Sequence, residues 1–358
     1  MNRIYPLIGV TALSALASSC HSDKKKNTER YNIVYIMTDD HTMQMMSCYD
    51  NRYVETPNID RIAADGIRFT NSFVANSISG PSRACMLTGK HSHANGFINN
   101  STTFNGDQLT FPKLLQQNGY QTAMIGKWHL VSDPQGFDHW EILPGQGDYY
   151  NPTFIQMNGE RVQVEGYATN IITDKAIDWI ENQRDESKPF CMLLHHKAPH
   201  RTWMPDTCDL ELFADKTFPL PENFYDNYEG RLAAQKQKMN IANDMEIVYD
   251  LKMADKENEI HSGMYEKWGR GMYDGSRMTP EQKAAWDAHY DPIIAKFKKD
   301  KLTGKALAEW KFQQYMRDYL RVITSVDRNI GRVLDYLEEK GMLENTMIVY
   351  TSDQGFYM

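Results

Sequence analysis

Four segments of the sequence that resemble buried β-strands end in polar and charged residues. A short continuous apolar run is typical of a strand covered on both faces, and the carboxyl ends of parallel strands share one sheet edge, where ligands bind. Each ending alone has an ordinary explanation as a helix cap, a surface cation or a turn. Four such endings at one edge predict a functional site. They are Thr38-Asp39-Asp40-His41, Gly126-Lys127-Trp128-His129, Lys197-Ala198-Pro199-His200 and Ser352-Asp353-Gln354-Gly355.

Oxygen ligands collect in the first and last of these endings. Asp39, Asp40 and Asp353 supply carboxylates, and Gln354 supplies an amide oxygen. Adjacent carboxylates repel one another unless a cation lies between them. A set made only of oxygen ligands suits a hard ion, Ca²⁺ or Mg²⁺, better than zinc. The sequence therefore predicts a divalent metal site at this edge.

Cationic side chains are expected at the same edge of the sheet. The sequence offers Arg83, Lys127 and the imidazoles of His129 and His200. A divalent ion surrounded by cations is suited to a small tetrahedral oxyanion, because every charge that develops on the oxyanion meets a fixed opposite charge. The predicted ligand is therefore a phosphate or a sulfate group.

The segment "SGPSRACMLTG", residues 79–89, places a lone hydroxyl before a turn and a helix-like stretch. A serine without a base beside it is a poor nucleophile, and no histidine lies within the ten residues before Ser79. Ser79 can be interpreted as the N-cap of a helix that carries Pro81 in its first turn. The residues alone leave a structural and a chemical role for Ser79 open.

Strand and helix patterns alternate along the chain. Such alternation requires crossover connections and predicts an α/β fold, with a large, mixed, mostly parallel central sheet between layers of helices. The strand-like segments are 32–37, 120–126, 189–196 and 345–352. The helical patterns between them are "TPNIDRIAADG" ending at Gly66, "DQLTFPKLLQQNG" ending at Gly119, and "ATNIITDKAIDWIENQ".

The longest predicted helix covers residues 307–340. Its apolar residues recur every three or four positions, which draws one stripe along the helix, and Gly341 is placed to end it. Residues 205–304 are polar and lack strong periodicity, so we expect a long insertion over one rim of the sheet. Long loops of this kind usually carry substrate contacts or act as lids.

Length, charge and cysteine content narrow the class of protein. The 358 residues are enough for one large α/β domain or two moderate ones, and the net charge of −8 argues against a nucleic-acid partner. No Cys-x-x-Cys spacing suggests a zinc or redox site. Apart from Cys20, four cysteines allow three disulfide pairings, although we expect Cys85 and Cys191 to be buried thiols. The four are Cys48, Cys85, Cys191 and Cys208.

The N-terminus has the pattern of an export signal. Arg3 precedes the apolar run "IYPLIGVTALSALASS", which is too short to span a bilayer as an anchor, and Cys20 follows it. The pattern resembles a bacterial lipoprotein signal over residues 1–20, followed by a polar linker over 21–31. Leu16 lies four residues before Cys20 instead of three, so a plain secretory signal is the alternative. We expect a Gram-negative periplasmic or outer-membrane lipoprotein that meets the membrane only through lipid on Cys20.

Several segments together resemble the formylglycine-dependent, type I sulfatase family of the alkaline-phosphatase-like superfamily. "SGPSRACMLTG" matches the family signature of Cys or Ser, any residue, Pro, Ser, Arg and a final Thr-Gly. Further hallmark segments occur in the family's order across residues 32–355, which makes 32–358 the expected catalytic domain. They are "NIVYIMTDDH", "TPNIDRIAADGIRFTNSF", "GKWHL", "APH" and "NTMIVYTSDQG".

The resemblance implies that a serine-type maturase oxidises Ser79 to formylglycine. The aldehyde hydrate has two hydroxyls: one attacks sulfur, and the other lets the sulfated intermediate collapse back to the aldehyde and release sulfate. Arg83 and His129 would orient the diol, Lys127 would bind sulfate oxygens, and His200 would protonate the leaving alcohol. The implied ligands of Ca²⁺, or alternatively Mg²⁺, are Asp39, Asp40, the modified Ser79, Asp353 and Gln354.

The segment "HKAPHRTWMPD" and the order of motifs resemble the branch of the family that acts on 6-O-sulfated N-acetylglucosamine. The implied reaction is exo-acting 6-O-desulfation of host glycans such as glycosaminoglycans or mucin. Arg201 and Trp203 are candidates for contacting the sugar, with packing under the insertion as the alternative for Trp203.

Two departures from the family pattern keep other functions open. A further sulfate-binding lysine and a small C-terminal subdomain are expected beyond Met358, so we expect the sequence to be a truncated piece. Gln354 stands where many relatives have Asn or His, and this change keeps an oxygen ligand. The alternatives are a phosphomonoester or phosphonate hydrolase of the same superfamily, and an inactive, truncated glycan-binding relic.

Overall fold

A seven-stranded sheet is the centre of the computed structural model, which describes residues 30–238, 240–253 and 275–356. The expected signal at residues 1–20 and most of the expected linker at 21–31 lie outside the described residues. The strands are β1 (Asn32–Thr38), β2 (Gln121–Lys127), β3 (His139–Leu143), β4 (Thr153–Gln156), β5 (Arg161–Gln163), β6 (Phe190–His195) and β7 (Thr346–Ser352).

The strand order β5-β4-β3-β2-β6-β1-β7 confirms the predicted mixed, mostly parallel sheet. The strands β3, β2, β6, β1 and β7 are parallel neighbours, whereas β4 and β5 pair in antiparallel fashion. The four strands predicted from apolar runs are β1, β2, β6 and β7, and they occupy adjacent positions. Their carboxyl ends therefore share one edge of the sheet, as expected.

The described helices cover both faces of the sheet. The longest has the predicted apolar stripe, and its stripe residues from Phe312 to Leu337 are fully buried. The helices are α1 (Pro57–Asp65), α2 (Ser79–Thr88), α3 (Ser92–Asn95), α4 (Phe111–Gln117), α5 (Ala168–Asp178), α6 (Leu232–Lys236), α7 (Ile241–Asp244), α8 (Pro280–Asp300) and α9 (Gly304–Glu339). None of them combines the length and apolarity needed to cross a bilayer.

Alternate residues of the central strands contribute to two different cores. On one face, β1, β2 and β6 pack against α5 and α9 through residues such as Val34, Ile125 and Leu194. On the other face, Met124 and Leu193 pack with side chains of α2 and α4. This alternation follows from the two-residue period of a strand. It explains why the runs are apolar at every position.

One expectation about these elements was wrong. The run 345–352 was expected to be covered on both faces, but β7 is an edge strand of the described sheet and Met347 is 54% exposed. Residues 205–304, expected to be an insertion without strong periodicity, contain the 21-residue helix α8, which was not predicted. The spacing of apolar residues missed α8 because it buries few side chains, chiefly Trp286 and Tyr290.

A buried charge cluster attaches the insertion to α9. Asp318 of α9 accepts hydrogen bonds from Lys252 Nζ at 2.9 Å and from Tyr290 Oη at 2.9 Å. Arg321 Nη1 lies 3.0 Å from the same carboxylate. Burial alone would raise the pKa of Asp318. The positive charges of Lys252 and Arg321 outweigh burial and hold this pKa below its usual range. The insertion is therefore fixed to the core by neutralised charges.

The four described cysteines are free thiols. Cys191 is fully buried, as expected, whereas Cys85 is half-buried.

Gly126 shows how closely the central strands approach one another. Its φ is +106°, and a Cβ built on it would lie 2.0 Å from the carbonyl oxygen of His195 on β6. Only glycine fits here. The next residue is Lys127, so the same constraint positions a predicted site residue.

We expect Gly126→Ala to lower the free energy of unfolding by at least about 3 kcal/mol, because backbone strain and overpacking add together. Gly89→Ala is the matched control, since Gly89 has φ +65° and a methyl group added to it would meet no atom within 4 Å. The control should cost only about 1–2 kcal/mol. Denaturant unfolding measures both values, and equal losses would contradict the steric argument.

Candidate active site

Backbone hydrogen bonds join the strand endings that carry the predicted site. The amide of Asp353 donates to the carbonyl of Thr38 at 3.1 Å, and the amide of Asp39 donates to the carbonyl of Ala198 at 3.2 Å. The amide of Asp40 donates to Asp353 Oδ1 at 3.1 Å. The endings of β1, β6 and β7 therefore form one connected rim.

The long helix α9 holds the backbone of the first ending. Asp40 has φ +64°, an uncommon conformation for a residue with a side chain. Tyr319 of α9 stabilises it: its hydroxyl donates to the Asp40 carbonyl at 2.6 Å and accepts from the Thr42 amide at 2.9 Å. Tyr319 is fully buried, so α9 fixes the direction in which the Asp40 carboxylate points.

Ser79 is the first residue of α2, and its hydroxyl faces the site. The N-cap position belongs to Ile78, so the interpretation of Ser79 as a helix cap is wrong. Ser79 Oγ instead donates to Asp39 Oδ1 at 3.1 Å. An ionised carboxylate is a stronger acceptor than a neutral oxygen, so Asp39 keeps the hydroxyl directed toward the sheet edge. Gly80 keeps α2 close, because a Cβ there would lie 2.7 Å from Asn100 Oδ1.

Arg83, one turn further along α2, connects three of the strand endings. Its Nε and Nη2 donate to Asp353 Oδ2 at 3.1 and 3.0 Å, and its Nη1 donates to the Lys127 carbonyl at 2.8 Å. Nη2 also lies 3.5 Å from Asp39 Oδ2. Arg83 is 1% exposed, so these contacts replace water as its partners. The guanidinium therefore neutralises two buried carboxylates at once.

Lys127 at the end of β2 is the second buried cation of the site. Its Nζ contacts Asp39 Oδ2 and donates to Gln146 Oε1 at 2.6 Å. Burial and the nearby Lys197 ammonium lower the pKa of Lys127 well below its usual value. Burial likewise lowers the pKa of Lys197 to about 8. The two lysines are therefore poised to gain from the arrival of an anion.

The two predicted site histidines are uncharged in this arrangement. Burial first, and then the Lys127 charge, lower the pKa of His129 to about 2 and that of His200 well below its usual value. His200 Nε2 lies 3.9 Å from Asp40 Oδ2, and His129 Nδ1 is buried without a hydrogen bond in the described part of the chain. An anion bound beside the lysines would offset their repulsion and raise the pKa of both imidazoles.

The carboxylates fit a hard divalent cation. Ligand atoms of Asp39, Asp40 and His200 lie within 4.8 Å of one another. Burial, and then repulsion from Asp353, raise the pKa of Asp40 to about 7, which is a cost that a bound cation would remove. Gln354 presents Nε2 to Asp40 Oδ1 at 2.6 Å, so a ligand role requires the opposite amide orientation. The donor set matches Ca²⁺ or Mg²⁺ in kind.

All of the predicted metal and catalytic residues therefore lie at one sheet edge. Arg201 and Trp203 were the candidates for contacting the sugar, with packing as the alternative for Trp203. Trp203 is fully buried and packs on Tyr315 at a ring distance of 4.7 Å, so packing is its role. Arg201 turns toward the insertion, where Nη2 lies 2.6 Å from Asp250 Oδ2, although it also lines a neighbouring pocket.

The sequence interpretation missed three residues that position the site. Gln146 contacts both site lysines, Tyr319 holds the Asp40 backbone, and His195 Nδ1 lies 3.2 Å from Arg83 Nη1. Lys197 belongs to one of the predicted strand endings, but no function was predicted for its side chain. That position was the available signal for Lys197. The apolar stripe of α9 includes Tyr319 and predicts its burial, although it does not predict the contact with Asp40, and no local pattern marks Gln146.

Comparison with known proteins decides the family. The family model described as "Sulfatase" matches residues 31–358. The chain belongs to the sulfatase family. An N-acetylglucosamine-6-O-sulfatase of Bacteroides thetaiotaomicron is 54% identical to this chain over 356 residues, which cover 98% of the chain and 62% of that relative. The resemblance inferred from the motifs is confirmed.

Solved structures agree with the fold of this sulfatase. The structure of BT4656 in complex with its substrate D-glucosamine-2-N,6-O-disulfate matches with a TM-score of 0.85 and 56% identity, over 91% of this chain and 66% of that chain. A phosphonate monoester hydrolase of Agrobacterium radiobacter matches with a TM-score of 0.52 and 17% identity, over 91% of this chain and 63% of that one, which shows a shared fold. The chain spans about six tenths of the length of these relatives.

We expect Asp40→Asn to stabilise the sulfatase in the absence of divalent ions. The folded-state pKa of Asp40 is about 7 and its ordinary value is 3.8, so the folded state binds the extra proton between these values. The contribution of Asp40 to the free energy of unfolding therefore falls as the pH rises from about 4 to 7. Asparagine cannot ionise, so its advantage should grow from pH 5 to pH 8 and reach about 2–4 kcal/mol.

Chemical denaturation in EDTA at the two pH values measures this difference. The exposed Asp133→Asn is the matched control and should change the free energy of unfolding little at either pH. A loss of stability in Asp40→Asn at pH 8 would contradict the raised pKa.

Proposed function

We propose that this chain carries a formylglycine-dependent sulfatase site that hydrolyses the 6-O-sulfate ester of glucosamine units, N-acetylated or N-sulfated, in host glycans by exo action. The observation that carries the proposal is the Ser79 hydroxyl, which faces Asp39 among Arg83, Lys127 and Gln354. The substrate class is supported by the name of the relative and by the substrate bound in the solved structure, both above 50% identity.

The chain's own residues supply most of the required chemistry. Oxidised and hydrated, Ser79 would present one hydroxyl to sulfur and keep the second for release of sulfate, with Arg83 and His129 orienting the diol. Lys127 would bind sulfate oxygens, because its ammonium contacts Asp39, the same carboxylate that accepts from the Ser79 hydroxyl. His200 would hold a proton at Nε2 for the leaving alcohol once bound sulfate offsets the lysine charges.

A Ca²⁺ ion, or Mg²⁺ in its place, would polarise the diol and the sulfate ester. Asp39, Asp40, Asp353, Gln354 and the modified Ser79 would hold it. For the N-terminal residues we propose export by the signal at 1–20, with lipid on Cys20 as the only membrane attachment.

Oxidation of Ser79 is the direct test of the proposal. When the protein is made with a serine-type maturase, mass spectrometry of the peptide that contains Ser79 should show the loss of two hydrogens, assigned by fragmentation to Ser79 and not to Ser82. The oxidised protein should release sulfate from 6-O-sulfated N-acetylglucosamine, and Ser79→Ala should release none.

Two outcomes would contradict this function. Protein that carries the aldehyde and releases no sulfate from any sulfated glycan would exclude it. Release of phosphate from an aryl phosphate faster than sulfate from the sulfated sugar would favour the phosphoester hydrolase that shares the fold.

Calcium should stabilise the protein in a pH-dependent manner. At a concentration one hundred times its Kd, a ligand of the folded state adds about 2.7 kcal/mol, which corresponds to several degrees in Tm. Because Asp40 must release a proton whose pKa is about 7, calcium binding should strengthen from pH 6 to pH 8. Scanning calorimetry with and without Ca²⁺ measures the shift.

Asp40→Asn is the informative variant for the metal. It should lose most of the calcium-dependent shift although it stabilises the ion-free protein, and Asp133→Asn should keep the shift. A calcium response that is equal in Asp40→Asn and in the parent protein would exclude Asp40 as a ligand.

A further inference from the structure

A second pocket borders the candidate active site on the side of the insertion. We name it the arginine pocket, and it is lined by Asp148, Tyr149, Lys197, Arg201, Arg277 and Met278 among others. Gln146 connects it to the site, because its side chain accepts from Lys127 Nζ at 2.6 Å and its carbonyl accepts from Lys197 Nζ at 3.2 Å. The Tyr149 hydroxyl donates to the His200 carbonyl at 2.5 Å. The pocket therefore adjoins the site through Gln146 and Tyr149.

The pocket has an excess of positive charge. Three cations line it, and Asp148 is the one carboxylate among its described lining residues. Arg201 is paired with Asp250, so it adds little to the charge that a ligand would meet. Lys197 is buried and receives no carboxylate within ion-pair distance among the described residues. Lys197 therefore offers an anion an unpaired charge, and Arg277 offers a charge that it shares with Asp148, whose Oδ2 lies 3.3 Å from Arg277 Nε.

Arg277 is held in place before any ligand arrives. Its Nη2 donates to the carbonyl of Asn151 at 2.7 Å and to Thr153 Oγ1 at 3.0 Å, which fixes the guanidinium plane. Its Nε is buried and makes no hydrogen bond within the described residues, although Asp148 Oδ2 lies 3.3 Å away without the required alignment. The side chain is one-third exposed. A fixed guanidinium with unused donors suits a tetrahedral anion, because little freedom is lost on binding.

We propose that the arginine pocket binds an anionic substituent on the same sugar whose 6-O-sulfate meets Lys127, and that this substituent is the N-sulfate group. The inference rests on the proposed function. A sugar with two sulfates needs two separate cationic positions, since each buried anion requires its own partners. Lys127 serves one sulfate, and Lys197 and Arg277 serve the other. The negative charge of Asp148 repels the second sulfate and so limits the preference for the N-sulfated sugar.

The test compares three sugars that differ only in the charge of the nitrogen substituent. They are 6-O-sulfated glucosamine with an N-sulfate, with an N-acetyl group and with a free amine, and all are titrated calorimetrically into the Ser79→Ala protein, which cannot turn them over. The N-sulfated sugar should bind about tenfold more tightly than the N-acetylated one, as expected for one charge-assisted contact, and the amine should bind most weakly.

Two variants of opposite sign identify the residues responsible. Arg277→Met should reduce the ratio between N-sulfated and N-acetylated sugar to near one. Asp148→Asn should increase that ratio several-fold, because it removes the opposing charge, and a purely structural role would not produce this gain. Arg332→Met is the matched control: Arg332 pairs with Asp174 and does not line the pocket, so its ratio should equal that of the parent.

The outcomes separate this inference from the proposed function. Equal binding of the N-sulfated and N-acetylated sugars overturns the inference and leaves the proposed function intact. Failure of all three sugars to bind overturns both. If thermal unfolding shows that Arg277→Met does not fold, the Asp148→Asn ratio decides: an increase supports the pocket and an unchanged ratio overturns it.

Discussion

The mutual neutralisation of buried charges at the sheet edge is the constraint on which the rest of the structure depends. Asp39 and Asp353 are fully buried, and a buried charge without a partner costs several kcal/mol. Arg83 and Lys127 supply the partners from α2 and β2. The four strand endings and the helix that begins at Ser79 must therefore come together to keep the charges neutral.

The neutralisation of the buried charges is incomplete, and this favours the binding of charged ligands. The pKa of Asp40 is raised to about 7, and the pKa values of Lys127 and both histidines are lowered by burial. Each shift disfavours the charged form of its own group. A divalent cation beside the carboxylates and an oxyanion beside the lysines would reverse these shifts together. Ligand binding would therefore recover free energy that the unliganded site loses to burial and to repulsion between like charges.

Much of the fold and of the candidate site could be predicted because both follow from periodic rules. Apolar runs identified β1, β2, β6 and β7, and the shared edge of parallel strands then brought Asp39, Lys127 and Asp353 together. The role of Ser79 as an N-cap was wrong because the preference is local, whereas its actual partner, Asp39, lies forty residues earlier. The helix α8 was missed although its capping box, Thr279 with Gln282, was a readable signal. The contacts of Tyr319 and Gln146 had no such signal, since they are set by tertiary packing alone.

The candidate site and the arginine pocket are held in place by different parts of the chain. The strand endings hold the groups that sulfate chemistry requires, and they are fixed by hydrogen bonds within the sheet and by Tyr319. The arginine pocket instead combines the ending of β6 with Asp148 before β4 and with Arg277, which lies in the insertion just before α8. The cluster around Asp318 attaches the insertion to α9 without contributing to the strand endings. Residues of the insertion can therefore change which substituents are accepted while the charge balance around Asp39 and Arg83 stays intact.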